Sequence, residues 1–128
     1  MASDVTNYLK RIYDLIESQS VRLQRGTPPI LLDASTNDTG TKIVLTYNKI
    51  MSQYMFSGIA GAFVASSKTV VSVSRGSKTN TIELTLNTAY INGDSITLAY
   101  DASIALESID LGLAELFTAT SVTNSVPE

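Results

Sequence analysis

A chain of 128 residues is the length of one domain, since domains most often run to about 100–150 residues. Hydrophobic residues make up 44% and charged residues 16%, a balance that excludes a disordered chain and provides for a core. The net charge is −3 with no Cys, His or Trp, which excludes disulfide frameworks, Cys or His metal sites, thiol or serine-triad catalysis and the basic footprint of a nucleic-acid binder.

Ser and Thr, with 16 and 15 copies, make up for the missing charge, and β-branched Thr fits a pleated surface. Charge is also uneven along the chain. From Asp101 onward there are five carboxylates (Asp101, Glu107, Asp110, Glu115, Glu128) and no Lys or Arg, whereas residues 1–29 hold Lys10, Arg11, Arg22 and Arg25.

The first predicted element is an amphipathic α-helix over residues 4–24. Ser3 or Asp4 can cap it, Asp4 suits the positive end of its dipole, and Arg22 and Arg25 suit the negative end. Gly26 offers a stop and Thr27-Pro28-Pro29 forbids continuation. Val5, Leu9, Ile12, Ile16 and Leu23, with Gln19 filling the gap, repeat at heptad spacing. Three heptads are too short to stand alone as a coiled coil. The seam therefore packs on its own domain, self-associates as a trimer or dimer, or docks on a partner. Pro28-Pro29 reads as a semi-rigid spacer holding the helix away from the rest of the chain. The division expected is residues 1–26 as the helix and 27–128 as a second unit.

Past the prolines the hydrophobic period changes from 3.6 to 2. Ile43, Leu45 and Tyr47 alternate with Val44 and Thr46; Ile82, Leu84 and Leu86 with Thr81, Glu83, Thr85 and Asn87; Ile96, Leu98 and Tyr100 with Ser95, Thr97 and Ala99. Each run is a half-buried strand. Segments 30–35, 62–65, 69–74 and 116–123 complete a set of about seven. Turn signals separate them at Asn37-Asp38-Thr39-Gly40, Gly76-Ser77-Lys78 and Asn92-Gly93-Asp94. The fold class expected is mainly β: an immunoglobulin-like antiparallel β-sandwich preceded by the helix.

Two stretches interrupt the alternation. The segment 51–58 gathers Met51, Tyr54, Met55 and Phe56, either a crossover capping the sandwich or an adaptable interface loop. Ile104, Leu106, Ile109, Leu111 and Leu113 line a long connection before the last strand. Asp94, Asp101, Glu107 and Asp110 could supply oxygen ligands to Ca²⁺, but no EF-hand spacing appears and solvated carboxylates are the expectation. Gly58-Ile59-Ala60-Gly61 lacks the Lys of a phosphate loop and reads as a turn. Tyr47 and Tyr100 fall on inward faces, while Tyr90 or Tyr54 could touch sugars. No catalytic, cofactor-binding or metal residue is assigned. No segment approaches the roughly 18–20 apolar residues of a membrane span. The charges at Asp4, Lys10, Arg11 and Asp14 argue against a secretory signal, so export by that route is not expected.

The order of motifs carries a resemblance. Pro29-Ile-Leu-Leu-Asp-Ala-Ser35 is followed by Thr41-Lys-Ile-Val-Leu-Thr-Tyr-Asn-Lys-Ile-Met51 and Val70-Val-Ser-Val73. Then come Asn80-Thr-Ile-Glu-Leu-Thr-Leu-Asn-Thr-Ala89, Gly93-Asp-Ser-Ile-Thr-Leu-Ala-Tyr-Asp101 and Val122-Thr-Asn-Ser-Val-Pro127. Residues 29–127 thus resemble the bacterial immunoglobulin-like repeats of the SwmB type. The family often carries Asp-x-x-Gly-Asn before its last strand, whereas Asp110-Leu111-Gly112-Leu113 lacks the Asn. The resemblance implies an extracellular β-sandwich for adhesion or display rather than catalysis.

One such repeat on a helical stem, without an export signal, also resembles the decoration and cement proteins of tailed phages. The expectation is therefore a non-enzymatic virion protein, a phage head decoration or fibre-type subunit. It would be made in the host cytoplasm and displayed on the virion surface, bound to itself through the helix or to a major capsid protein. The alternative is a bacterial cell-surface adhesion module binding carbohydrate or protein.

Overall fold

A computed structural model describes residues 26–52, 59–101 and 106–128. The helix expected over residues 4–24, with its seam Val5, Leu9, Ile12, Ile16 and Leu23, lies outside the described residues, as do Tyr54, Met55 and Phe56.

Seven strands follow one another: β1 (Leu31–Thr36), β2 (Lys42–Tyr47), β3 (Phe63–Ala65), β4 (Val70–Arg75), β5 (Thr81–Leu86), β6 (Ile96–Tyr100) and β7 (Phe117–Val122). A 3-10 turn at Ile59–Ala62 leads into β3, where the sequence indicates a turn and no phosphate loop. The strands form two antiparallel sheets, ordered β1-β2-β5-β4 and β3-β6-β7. The seven strands start and stop within one residue of their expected bounds.

The period-2 runs decide which face is buried. In β2, Ile43, Leu45 and Tyr47 are buried and the intervening residues half-buried. In β5, Ile82, Leu84 and Leu86 do the same opposite them, with Ile43 beside Leu84 and Leu45 beside Ile82. Ile96, Leu98 and Tyr100 of β6 come from the second sheet. Both sheets feed one core, in which Phe63 and Tyr100 stack with centroids 5.0 Å apart and Phe117 lies 5.9 Å from Tyr100. Side chains of this size each contribute about 1.5–3 kcal/mol when fully buried.

The sheets are joined along one side. Although β1 pairs with β2, its end also meets the second sheet: Ser35 bridges Thr123 in parallel, Thr36 N–H donates to Thr123 O (2.9 Å) and Thr123 N–H donates to Ala34 O (2.8 Å). The chain enters at the end of the sandwich where Leu31 faces Tyr47. It leaves at the other end, where Asn124 holds the Ile91 and Asp94 carbonyls. Entry and exit are therefore at opposite ends.

Met51, expected either in a crossover capping the sandwich or in an adaptable interface loop, is fully buried, which is against an interface role for this residue. Its backbone bridges Ser108 and its carbonyl accepts from Arg75 Nη2 at 2.6 Å. Its flexible thioether side chain is part of the core cluster.

Candidate functional site

The entry end of the sandwich contains a groove of about 650 Å³ between residues 27–31 and residues 115–120. Pro28, Pro29, Leu31, Leu116 and Phe117 supply apolar walls, and Tyr47 lies at its base. At this end β1 carries a register shift against β2 between Leu31 and Asp33. Ile30 is held in place on both sides by Asn48, whose Oδ1 accepts from Ile30 N–H (2.8 Å) and whose N–H donates to Ile30 O (3.0 Å).

A polar clamp pins the chain beside this groove. Gly26 N–H donates to Asp110 O at 2.8 Å. Lys49 Nζ donates to Thr27 O (2.7 Å), to Thr27 Oγ1 (2.8 Å) and to Asp110 Oδ2 (2.9 Å). Ser108 Oγ donates to Asp110 Oδ1 and accepts from Gly112 N–H (3.0 Å). Gly112 approaches so closely that a Cβ there would lie 2.2 Å from Thr27 O. The residues before β1, expected to act as a spacer, are thus strapped to the loop before β7, and Pro29 is buried.

Electrostatics follow from this geometry. The Ser108 hydroxyl and then the Lys49 ammonium hold the Asp110 carboxyl down at about 2, below its ordinary 3.8. Burial, with Tyr100 close by, pushes the Tyr47 phenol well above its ordinary value. The Tyr47 hydroxyl is buried without a hydrogen-bond partner among the described residues. Burial also raises Tyr100, partly offset by the Leu106 N–H that its oxygen accepts at 2.8 Å.

The residues singled out for chemistry are not brought together. Asp94 accepts from Ile91 N–H at the exit end, while Asp110 pairs with Lys49 at the entry end, so the carboxylates considered for Ca²⁺ are not one cluster. Among the described residues no group of three or more His, Cys, Asp or Glu is placed to hold a metal ion. Tyr90, considered for sugar contact, is buried; its hydroxyl donates to Ser66 O and Lys68 Nζ sits 5.5 Å from its ring centroid. Local patterning does not announce the groove and clamp. Lys49 and Asp110 are 61 residues apart, and Pro28-Pro29 is the one local sign that something stops there.

Comparisons with known proteins bear on this arrangement. Residues 24–105 match the model of the SWM repeat, a flagellar system-associated repeat. A crystal structure of the S-layer protein rSbsC(31-844) superposes with a TM-score of 0.62 at 18% identity, covering 79% of this chain and 14% of that one. A crystal structure of the N-terminal part of the bacterial S-layer protein SbsC gives 0.63 at 18% identity, covering 79% and 24%. This chain therefore spans less than a quarter of either S-layer chain, and the likeness is one of fold. No curated protein sequence matches.

Proposed function

The chain belongs to the flagellar system-associated repeat family, and from that premise we propose that it is a structural module of a bacterial cell surface, built to space and display rather than to catalyse. The observation that carries this reading is the conjunction of the family match with a fold shared by two S-layer chains. A flagellar system and an S-layer are both ordered assemblies on a bacterial cell. Entry and exit at opposite ends of the sandwich suit such a role, because modules can then be strung one after another along a chain.

The finer fold assignment belongs to the same proposal. The order β1-β2-β5-β4 against β3-β6-β7 is that of strands A-B-E-D against C-F-G in an immunoglobulin constant-type sandwich. This supports reading the module as immunoglobulin-like. The comparisons favour the cell-surface alternative over the virion role, since none of them points to a phage particle.

Surface location is tested by fractionating the cells that make the protein and by antibody labelling of intact cells. The reading requires that antibody reach the chain on intact cells and that external protease remove it. A chain found only in the soluble fraction after lysis, or co-sedimenting with phage particles, overturns it.

A further inference from the structure

The entry end of the sandwich also gathers apolar side chains in water. Ile30, Ile50, Ile109 and Leu116 are 59%, 45%, 64% and 61% exposed, and Leu113 joins them at 39%. They are neighbours through the backbone. Ile109 N–H donates to Ile50 O (2.9 Å), Ile30 and Leu116 both line the groove, and Leu113 follows the Gly112 that lies against Thr27. The exit end is different: apart from Ile91, its turns are built from Asn37, Asp38, Thr39, Asn92, Asp94 and Asn124. An apolar surface concentrated at one end calls for a cover.

Three observations identify that cover. The first is the point of attachment: with Gly26 bonded to Asp110 and Thr27 to Lys49, residues 1–25 begin at the edge of the patch. A segment tethered so closely has an effective concentration in the millimolar range. The second is the sequence. Val5, Leu9, Ile12, Ile16 and Leu23 recur at helical spacing, and as a helix residues 5–23 would run about 27 Å, enough to cross the end of two sheets packed about 10 Å apart. The third is charge: residues 1–25 hold four cations against Asp4, Asp14 and Glu17, but residues 18–25, next to the tether, carry Arg22 and Arg25 and no carboxylate, while Glu115 stands exposed on the groove. A second copy stacked end to end would instead press a polar end onto this patch.

We infer that residues 5–23 dock on the Ile30, Ile50, Ile109, Leu113 and Leu116 end of their own sandwich, with the Val5-to-Leu23 seam against it. Such docking does not depend on the cell-surface role. It turns the seam from an oligomerisation device into a cap on the module.

Sedimentation and amide hydrogen exchange on the full chain test it. The expected result is a monomer at all concentrations with protected amides within residues 5–23. In the variant Ile109→Lys with Leu113→Lys that protection falls roughly tenfold or more, while the strands keep theirs. A dimer or trimer overturns the inference, whether the seam then pairs with itself or docks on a second copy. So does a monomer whose seam amides exchange freely. A second variant, Leu9→Asp with Ile12→Asp, leaves every strand residue unchanged. It must raise binding of an apolar dye several-fold by uncovering the patch, and no rise overturns the inference even if the first variant misfolds.

Discussion

Tyr47 and Tyr90 each bury a phenol in the sandwich, but Tyr90 donates to the Ser66 carbonyl whereas Tyr47 has no partner among the described residues. A buried hydroxyl left unbonded costs about 1–3 kcal/mol, and a bonded one contributes about 1. The two Tyr→Phe changes therefore differ in sign: Tyr47→Phe raises the urea midpoint, by about 1 kcal/mol in stability, and Tyr90→Phe lowers it by a similar amount. Equal losses in both would show that the Tyr47 hydroxyl is satisfied in solution. Asp110 sets a pH dependence. Its carboxyl titrates near 2 in the folded chain against an ordinary 3.8, so the unfolded chain binds the proton first as pH falls. The stabilisation is complete above the ordinary value and fades as pH drops from about 4 toward 2. Asp110→Asn removes the ionised acceptor for Ser108 and Lys49. Denaturant midpoints of that variant should fall less steeply across this window than those of the parent chain, and parallel slopes would refute the assignment.

Among the elements, the β1–β2 turn is the most constrained. Gly40 has φ +72°, and a Cβ there would lie 2.1 Å from the Tyr90 carbonyl oxygen. A non-glycine residue in this left-handed conformation costs about 1–2 kcal/mol before any collision. Gly40→Ala should thus lower stability by more than about 2 kcal/mol, whereas Gly61→Ala, with nothing within 4 Å of the added methyl, should stay within about 0.5 kcal/mol. Thermal melts of the two variants make the comparison. The same turn shows what local sequence can announce: Asn37-Asp38-Thr39-Gly40 marks it plainly, as the alternations in β2, β5 and β6 mark their strands. Turn chemistry and side-chain period act within a few residues, so they are legible. The groove is not, because residues 27–31 and 115–120 that line it are far apart in the chain and meet only in three dimensions. Met51 illustrates the limit. Its company of Tyr54, Met55 and Phe56 leaves a capping crossover and a contact loop both open to local patterning, and only the bridge to Ser108, far along the chain, places it in the core. Pro28-Pro29 misleads for a similar reason, since the Lys49–Asp110 clamp that straps the segment down comes from two distant loops.

At the scale of the molecule, a module with entry and exit at opposite ends transmits any pull along its long axis. The first and last strands, β1 and β7, meet in parallel through Ser35 and Thr123. Tension drags β1 toward the entry end and β7 toward the exit end, so the bonds between them are loaded lengthwise and together. Those bonds are Thr36 N–H to Thr123 O, Thr123 N–H to Ala34 O and Ser125 N–H to Thr36 Oγ1 at 2.8 Å. Shear demands that they break at once, whereas the Lys42–Glu83 pair between β2 and β5 lies behind them and is loaded only after β1 has separated. Thr123→Pro deletes one donor and Thr36→Val one acceptor, each worth roughly 1 kcal/mol at equilibrium. Pulled by its ends in a force spectrometer, either variant should unfold at a clearly lower peak force than the parent chain. Lys42→Met, which removes a partly exposed pair worth about 0–1 kcal/mol, should leave the peak where it was. If all three unfold at the parent's force, the β1–β7 seam does not bear the load, and the opposite placement of entry and exit confers reach without strength.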